Sequence, residues 1–100
     1  MKISIKSIHF DASTQLEEFI QKKVSKLDQY YDGILSAEVV LKVVKPETSQ
    51  NKEAGIKILI PKFEAPYSDK VANTFEEAID ECVAALEKQL IKVKEKSKAK

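Results

Sequence analysis

"KISIKSIHFDASTQLEEFIQKKVSKLDQYYDGILSAEVVLKVV", residues 2–44, decides the fold. Its first part alternates: Ile3 and Ile5 point one way, and Lys2, Ser4 and Lys6 the other. That period predicts a half-buried strand. Ile8 and Phe10 fall on the opposite phase, which predicts a bend or bulge near Ser7. The apolar spacing then becomes helical through Leu16, Phe19, Ile20, Val24, Leu27 and Tyr31. Ser13 or Thr14 can cap this helix, and Thr14 with Glu17 fits a capping box. Asp32-Gly33 is its expected end, with glycine in the left-handed position. Residues 37–44 are rich in β-branched side chains, and Ala37, Val39, Leu41 and Val43 are expected to face the core. A strand–helix–strand unit makes its two strands parallel if they are neighbours.

The pattern extends outward from this unit. "KPETSQNKE" is a polar turn with proline. Residues 54–60 place Ala54, Ile56, Ile58 and Ile60 on one face, and Pro61 closes the strand. "APYSDKVA" reads as an edge strand. A long helix follows, with Thr74 and Glu77 as a second capping box and Phe75, Ile79, Cys82, Leu86, Leu90 and Val93 along one stripe. The expected fold is α+β, β-α-β-β-β-α, with two helices packed on one face of a four-stranded mixed sheet. The other sheet face carries Ser4, Lys6, Glu38, Lys42 and Lys57, with Val40, Val44 and Leu59 among them. Residues 1–96 make a single domain, and 97–100 read as a flexible lysine-rich tail.

The composition suits one globular domain: 100 residues, 43% hydrophobic and 33% charged. No apolar run approaches the ~20 residues of a membrane span. The alternating N-terminus does not read as a signal peptide, so the expected compartment is the cytoplasm. A lone cysteine, Cys82, forms no internal disulfide. All 17 basic residues are lysine, and the formal net charge is +1. Lysine is a point charge without the planar fork of arginine, so contact with nucleic acid would engage phosphate and shape rather than base edges.

The charges are sorted. On the first helix Lys22, Lys23 and Lys26 take one flank, and Glu17 and Asp28 the other. On the second, Lys88, Lys92 and Lys96 repeat every four residues, while Glu76, Asp80 and Glu87 occupy the opposite flank. The helix dipole alone favours early acids and late bases. It does not explain mid-helix Lys22 and Lys23, nor a lysine stripe that repels itself at i,i+4. A stripe of one sign suits an anionic partner, and the expectation is one cationic face shared by the two helices.

Other groups carry less chemistry. His9 is the sole histidine and has no relay partner at useful spacing. Cys82 sits on the apolar stripe as a buried thiol. Tyr30 and Tyr31 follow the core phase of the first helix. Glu76-Glu77 and Asp80-Glu81 complement a helix start. Two glycines, Gly33 and Gly55, cannot build a phosphate loop. The reading is a non-enzyme with no metal, no cofactor, no small-molecule substrate and no membrane.

"LEEFIQKKVSKLDQYYDGI", "AEVVLKV" and "TFEEAID…ALEKQLIKVKEK", with the opening "IKSIHFDAS", resemble the ribosome hibernation-promoting factors, also called ribosome-associated inhibitors. The resemblance spans nearly the whole chain and is to the short form. It implies the same β-α-β-β-β-α fold. It also implies binding to the small ribosomal subunit near the decoding channel, where messenger and transfer RNA sites are blocked during stress or stationary phase. In some bacteria the short form works with a separate ribosome-dimerising factor. The RNA-facing positions it implies are Lys22, Lys23, Lys26, Lys88, Lys92, Lys94 and Lys96. The family often has arginine where this chain has Ile8, Gly33 and Lys88. A general double-stranded-RNA binder and a docking module for an acidic protein are the alternative readings of the same lysines.

Overall fold

The computed structural model describes residues 1–8, 10–44, 50–62 and 64–98, with residues 97 and 98 by backbone alone. Its elements are β1 (Lys2–Ile8), α1 (Thr14–Ser25) with a 3₁₀ turn at Lys26–Gln29, β2 (Ser36–Val43), β3 (Lys52–Leu59), β4 (Tyr67–Ala72) and α2 (Phe75–Lys98). The sheet order is β1-β2-β3-β4. β1 runs parallel to β2, from Lys2 opposite Ser36 to Ile8 opposite Lys42. The two remaining pairings are antiparallel. This is the expected β-α-β-β-β-α mixed sheet with two helices.

Alternation builds the core. Ala37, Val39 and Leu41 of β2 and Ala54, Ile56 and Ile58 of β3 are buried on one sheet face. Leu16, Ile20, Val24 and Leu27 come down on them from the first helix, and Phe75, Ile79, Cys82, Leu86 and Leu90 from the second. Phe10, just past β1, stacks on Phe75 with ring centroids 5.0 Å apart. That stacking ties the start of the crossover to the start of α2.

Several local expectations are corrected. No bulge interrupts β1, whose register with β2 is continuous through Ile8. Ile8 breaks the apolar parity because it points to the open face, beside Val40 and Tyr67. Of the two candidate caps of α1, Ser13 takes the role, its hydroxyl accepting from the Leu16 amide at 3.1 Å, so Thr14 is the first helical residue and not the cap of a box with Glu17. The α-helix ends at Ser25 and tightens into the 3₁₀ turn, well before Asp32. Leu27 remains buried in that turn, so the apolar spacing does not betray the change of winding. Gly33 does take a left-handed conformation, at φ +97°, but in the loop before β2. Val43 has the core parity and is 39% exposed, because it lies at the last position of β2. β3 begins at Lys52, earlier than expected, and the Val44 amide donates to the Asn51 carbonyl at 2.8 Å to close the hairpin. His9 and residues 45–49 of the polar turn lie outside the described residues. α2 continues through Lys98, so the first part of the expected tail is helical, and residues 99 and 100 lie outside the described residues.

Thr74 caps α2 as expected, accepting from the Glu77 amide at 3.1 Å. On the open face Tyr67, opposite Lys57, reaches diagonally over Gly55. A Cβ at residue 55 would lie 2.8 Å from the Tyr67 hydroxyl, so glycine lets the ring lie down on the strand.

Ile58 is fully buried between β2 and the helix layer. Ile58→Ala is expected to cost about 2–5 kcal/mol. Urea denaturation followed by circular dichroism measures it. The Cys82 thiol donates to the Ala54 carbonyl at 3.2 Å, and burial pushes its pKa up to about 11. At pH 8 about one such thiol in a thousand is ionised, so an aromatic disulfide reagent should label it only as fast as the fold opens. Because the raised acid holds its proton in the folded state, this group's contribution to stability is intact below pH 9 and is lost as pH climbs toward 11. Rapid labelling of native protein at pH 8 would contradict the assignment.

Candidate nucleic-acid interface

The seven lysines singled out in the sequence fall into three settings. Lys22 is exposed on α1 and Lys26 at the start of the 3₁₀ turn that follows it, and Lys88, Lys92, Lys94 and Lys96 are exposed on α2. Lys23 is half-buried in the seam between the helices. Its ammonium lies 3.3 Å from the Asp80 carboxylate and 5.6 Å from the centroid of the Phe19 ring. Both partners remain partly solvated, so this bridge is worth about 1 kcal/mol at most. Its larger effect is to match the charge of Lys23 inside the protein.

The Lys23–Asp80 bridge also orients α2. Residues 80 and 89 are separated by about 900° of helical rotation, which puts them on opposite flanks. Asp80 faces α1, and the Gln89 side-chain carboxamide donates at 3.0 Å to the carbonyl of Tyr67, the first residue of β4. Lys92 and Lys96 lie within about 60° of Gln89 and share the outer, β4-side flank, whereas Lys88, about 100° from Gln89 and about 80° from Asp80, points away from the sheet. Lys94 lies about 40° from Asp80, on the flank turned toward α1. The α2 lysines are therefore spread over both flanks and the outward side of the helix rather than gathered on one flank. The sheet order sets α1 beside β1 and α2 over β3 and β4, and the flank of α2 that meets α1 is the acidic one.

α2 is much longer than the layer beneath it. It runs back along β4, from Phe75 just after Ala72 to Gln89 at the level of Tyr67. Residues 90–98 continue past that level, and the chain's long axis spans 50 Å against 23 and 17 Å across it. Val93 still packs against the core, while Ile91 is 45% exposed. The overhanging end carries Lys92, Lys94 and Lys96 on both flanks, with Glu95 between them.

The ion pairs among the described residues are the Met1 ammonium with Asp28, Lys23 with Asp80, and Lys42 with Glu53. None uses the α2 lysines, Lys22 or Lys26. The open sheet face offers a different surface. Lys42 there is neutralised by Glu53 at 3.4 Å, and the shallow hollow of about 180 Å³ beside them is lined by Ile8, Val40, Gly55 and Tyr67. Burial and the nearby Asp69 and Glu53 carboxylates raise the pKa of Tyr67 above its ordinary value. Sequence reasoning misses one residue near the α2 stripe: Lys62, in the turn between β3 and β4, shares a cleft with Lys92 and Lys96. Only its sign is visible in the sequence, since the approach depends on the β3–β4 turn folding back under α2.

Among the described residues no cluster of three or more histidine, cysteine, aspartate or glutamate side chains could hold a metal ion, and no helix is long and apolar enough to cross a membrane. The structure is an α+β domain with solvated lysines along its helices. Residues 3–98 match the family described as Sigma 54 modulation protein / S30EA ribosomal protein. The chain is 29% identical over 103 residues to a ribosome hibernation promoting factor of Pseudomonas putida, covering 99% of this chain and 92% of the relative. It is 31% identical over 100 residues to one from Azotobacter vinelandii, covering 96% and 85%. In three dimensions it resembles the N-terminal domain of Thermus thermophilus Protein Y, with a TM-score of 0.80, 26% identity, and coverage of 93% of this chain and 99% of that one. A ribosomal subunit interface protein from Coxiella burnetii shares the fold, with a TM-score of 0.83 at 21% identity over 94% and 98% of the two chains. The chain belongs to this family of ribosome hibernation factors and is not an enzyme.

Asp80→Asn removes the charge that answers Lys23 while nearly keeping the side chain's volume. The expected loss of stability, read from urea denaturation, is below about 1 kcal/mol. A loss several times larger would mean that the helix seam depends on this pair far more than its exposure allows.

Proposed function

We propose that this protein binds the small ribosomal subunit through its rRNA near the decoding channel and blocks the messenger and transfer RNA sites under stress or in stationary phase. It acts by occupancy, in the cytoplasm where ribosomes work. The single observation that supports the RNA contact is the overhanging end of α2, whose lysines are exposed and have no carboxylate partner among the described residues. Family membership supports the ribosome as the setting. Lys88, Lys92, Lys94 and Lys96 are the main RNA contacts in this reading, with Lys22 and Lys26 beside them. Lys23 contributes less while Asp80 holds it. A separate ribosome-dimerising factor is the second partner this reading accommodates.

Chemistry sets what such a surface does. Lysine ammoniums neutralise phosphates and release condensed counterions, so affinity falls with salt. Five phosphate contacts would give a logarithmic salt slope of about −4 to −5, by analogy with duplex nucleic acid. Selectivity for one place on the ribosome then comes from shape, because lysine point charges do not read bases.

Co-sedimentation with purified small subunits across a salt series tests the proposal. Strong association at low salt, lost steeply as salt rises, is expected. Lys88→Gln with Lys92→Gln should flatten the slope by about two. No association at low salt would remove the idea. Equal affinity for free duplex RNA would favour a general RNA binder. Unchanged ribosome association in the double variant, with weakened binding to an acidic protein, would favour an interaction module.

A further inference from the structure

The cleft between the overhanging half of α2 and the β3–β4 turn joins two of the helix lysines to a cation from outside the helices. Its volume is about 460 Å³, and its charged lining is Lys62, Lys92, Lys96 and Glu64, three cations against one carboxylate. Pro66 and Val93 supply apolar surface. The volume lies in the range of small-ligand sites, ~300–1,000 Å³. Two hydrogen bonds hold the walls. The Ile58 amide donates to the Pro66 carbonyl at 2.9 Å, which seats the turn on β3. The Gln89 side-chain Nε2 donates to the Tyr67 carbonyl at 3.0 Å, which seats α2 on the same strand start. The cleft is thus bounded by two anchored elements rather than by free side chains.

Lys62 is the informative residue. It is the one non-glycine with positive φ among the described residues, at +72°. That conformation crowds Cβ against the backbone, so glycine or asparagine would be the easier occupant. Lys62 joins none of the ion pairs among the described residues. Across the cleft, Lys92 and Lys96 are one helical turn apart, near enough to repel each other. Strained backbone and like charge concentrated at one place point outward, to a ligand that both features serve.

We infer that this cleft is a binding site for the phosphodiester backbone of RNA, with Lys62 as a contact residue beyond the two helices. This rests on the RNA-binding reading above. Ammoniums converging from two sides suit phosphate oxygens, which need charge more than a planar fork. Glu64 stands against the phosphate and weakens the site. Removing one ammonium–phosphate pair at 0.1 M salt corresponds to about a five- to tenfold drop in affinity.

Single variants of the full chain, measured by co-sedimentation with small subunits over a salt series, test this. Lys62→Gln is expected to weaken binding about five- to tenfold at 0.1 M salt and to flatten the slope by about one. Glu64→Gln should strengthen binding severalfold. Lys6→Gln, on the exposed open face of the sheet, should stay within about twofold of the parent. Lys62→Gly separates function from fold: relief of the left-handed strain should leave the thermal midpoint no lower than the parent's, while binding weakens as in Lys62→Gln. If Lys88→Gln weakens binding and Lys62→Gln does not, the cleft assignment is wrong and the RNA reading stands. If the parent protein does not sediment with subunits at all, the RNA reading itself is wrong.

Discussion

The parallel pairing of β1 with β2 constrains everything else in this domain. Parallel neighbours cannot be joined by a hairpin, so the chain must cross over the sheet, and it does so as α1. That crossover covers the β1 side of one sheet face and leaves the β3–β4 half bare. α2 fills the remaining half, where Ile79, Cys82, Leu86 and Leu90 reach the core. With only two helices for four strands, the outer flank of α2 has no neighbour in the layer. The solvated lysine stripe exists because the layer stops there.

The same layering explains the distribution of charge. A net charge of +1 conceals a molecule in which opposite signs meet where elements touch and like signs gather where they do not. Asp80 answers Lys23 across the helix seam, and Glu53 answers Lys42 across the β2–β3 pair. Past Gln89 the β3–β4 turn is the element that borders α2, and the cations on either side of that cleft enter none of the ion pairs among the described residues. These pairs lie within the body of the domain, and cations outnumber carboxylates at the end of α2.

Most of the architecture is legible because one sheet face and one stripe per helix are apolar. Ile56 and Ile58 declare their face by alternation, and Leu86 and Leu90 declare theirs by spacing. The misreadings share a cause: a local pattern serves two geometries equally well. Thr14 with Glu17 has the spacing of a capping box, and only the backbone tells that the neighbouring hydroxyl of Ser13 caps instead. Leu27 is buried whether the first helix stays α or tightens to 3₁₀, so its apolar phase extends the expected helix too far. Ile8 mimics a break in register if every apolar residue is given to the core face, whereas it simply faces the other way. The candidate site is legible as a set of lysines but not as a surface. The Lys23–Asp80 bridge, which turns the acidic flank of α2 toward α1, and the approach of Lys62 to Lys92 both join residues far apart in sequence, and no periodicity encodes them.

Tyr67 occupies two surfaces at once. Its ring rests over Gly55 on the uncovered side of the sheet, while its carbonyl receives the Gln89 side-chain carboxamide on the helix side. A side chain added at residue 55 would meet the Tyr67 hydroxyl and push the exposed ring aside. The bare α-carbon at position 55 thus makes room for a flat aromatic plate on the uncovered side, while the backbone of Tyr67 itself moors the long helix to the sheet's rim.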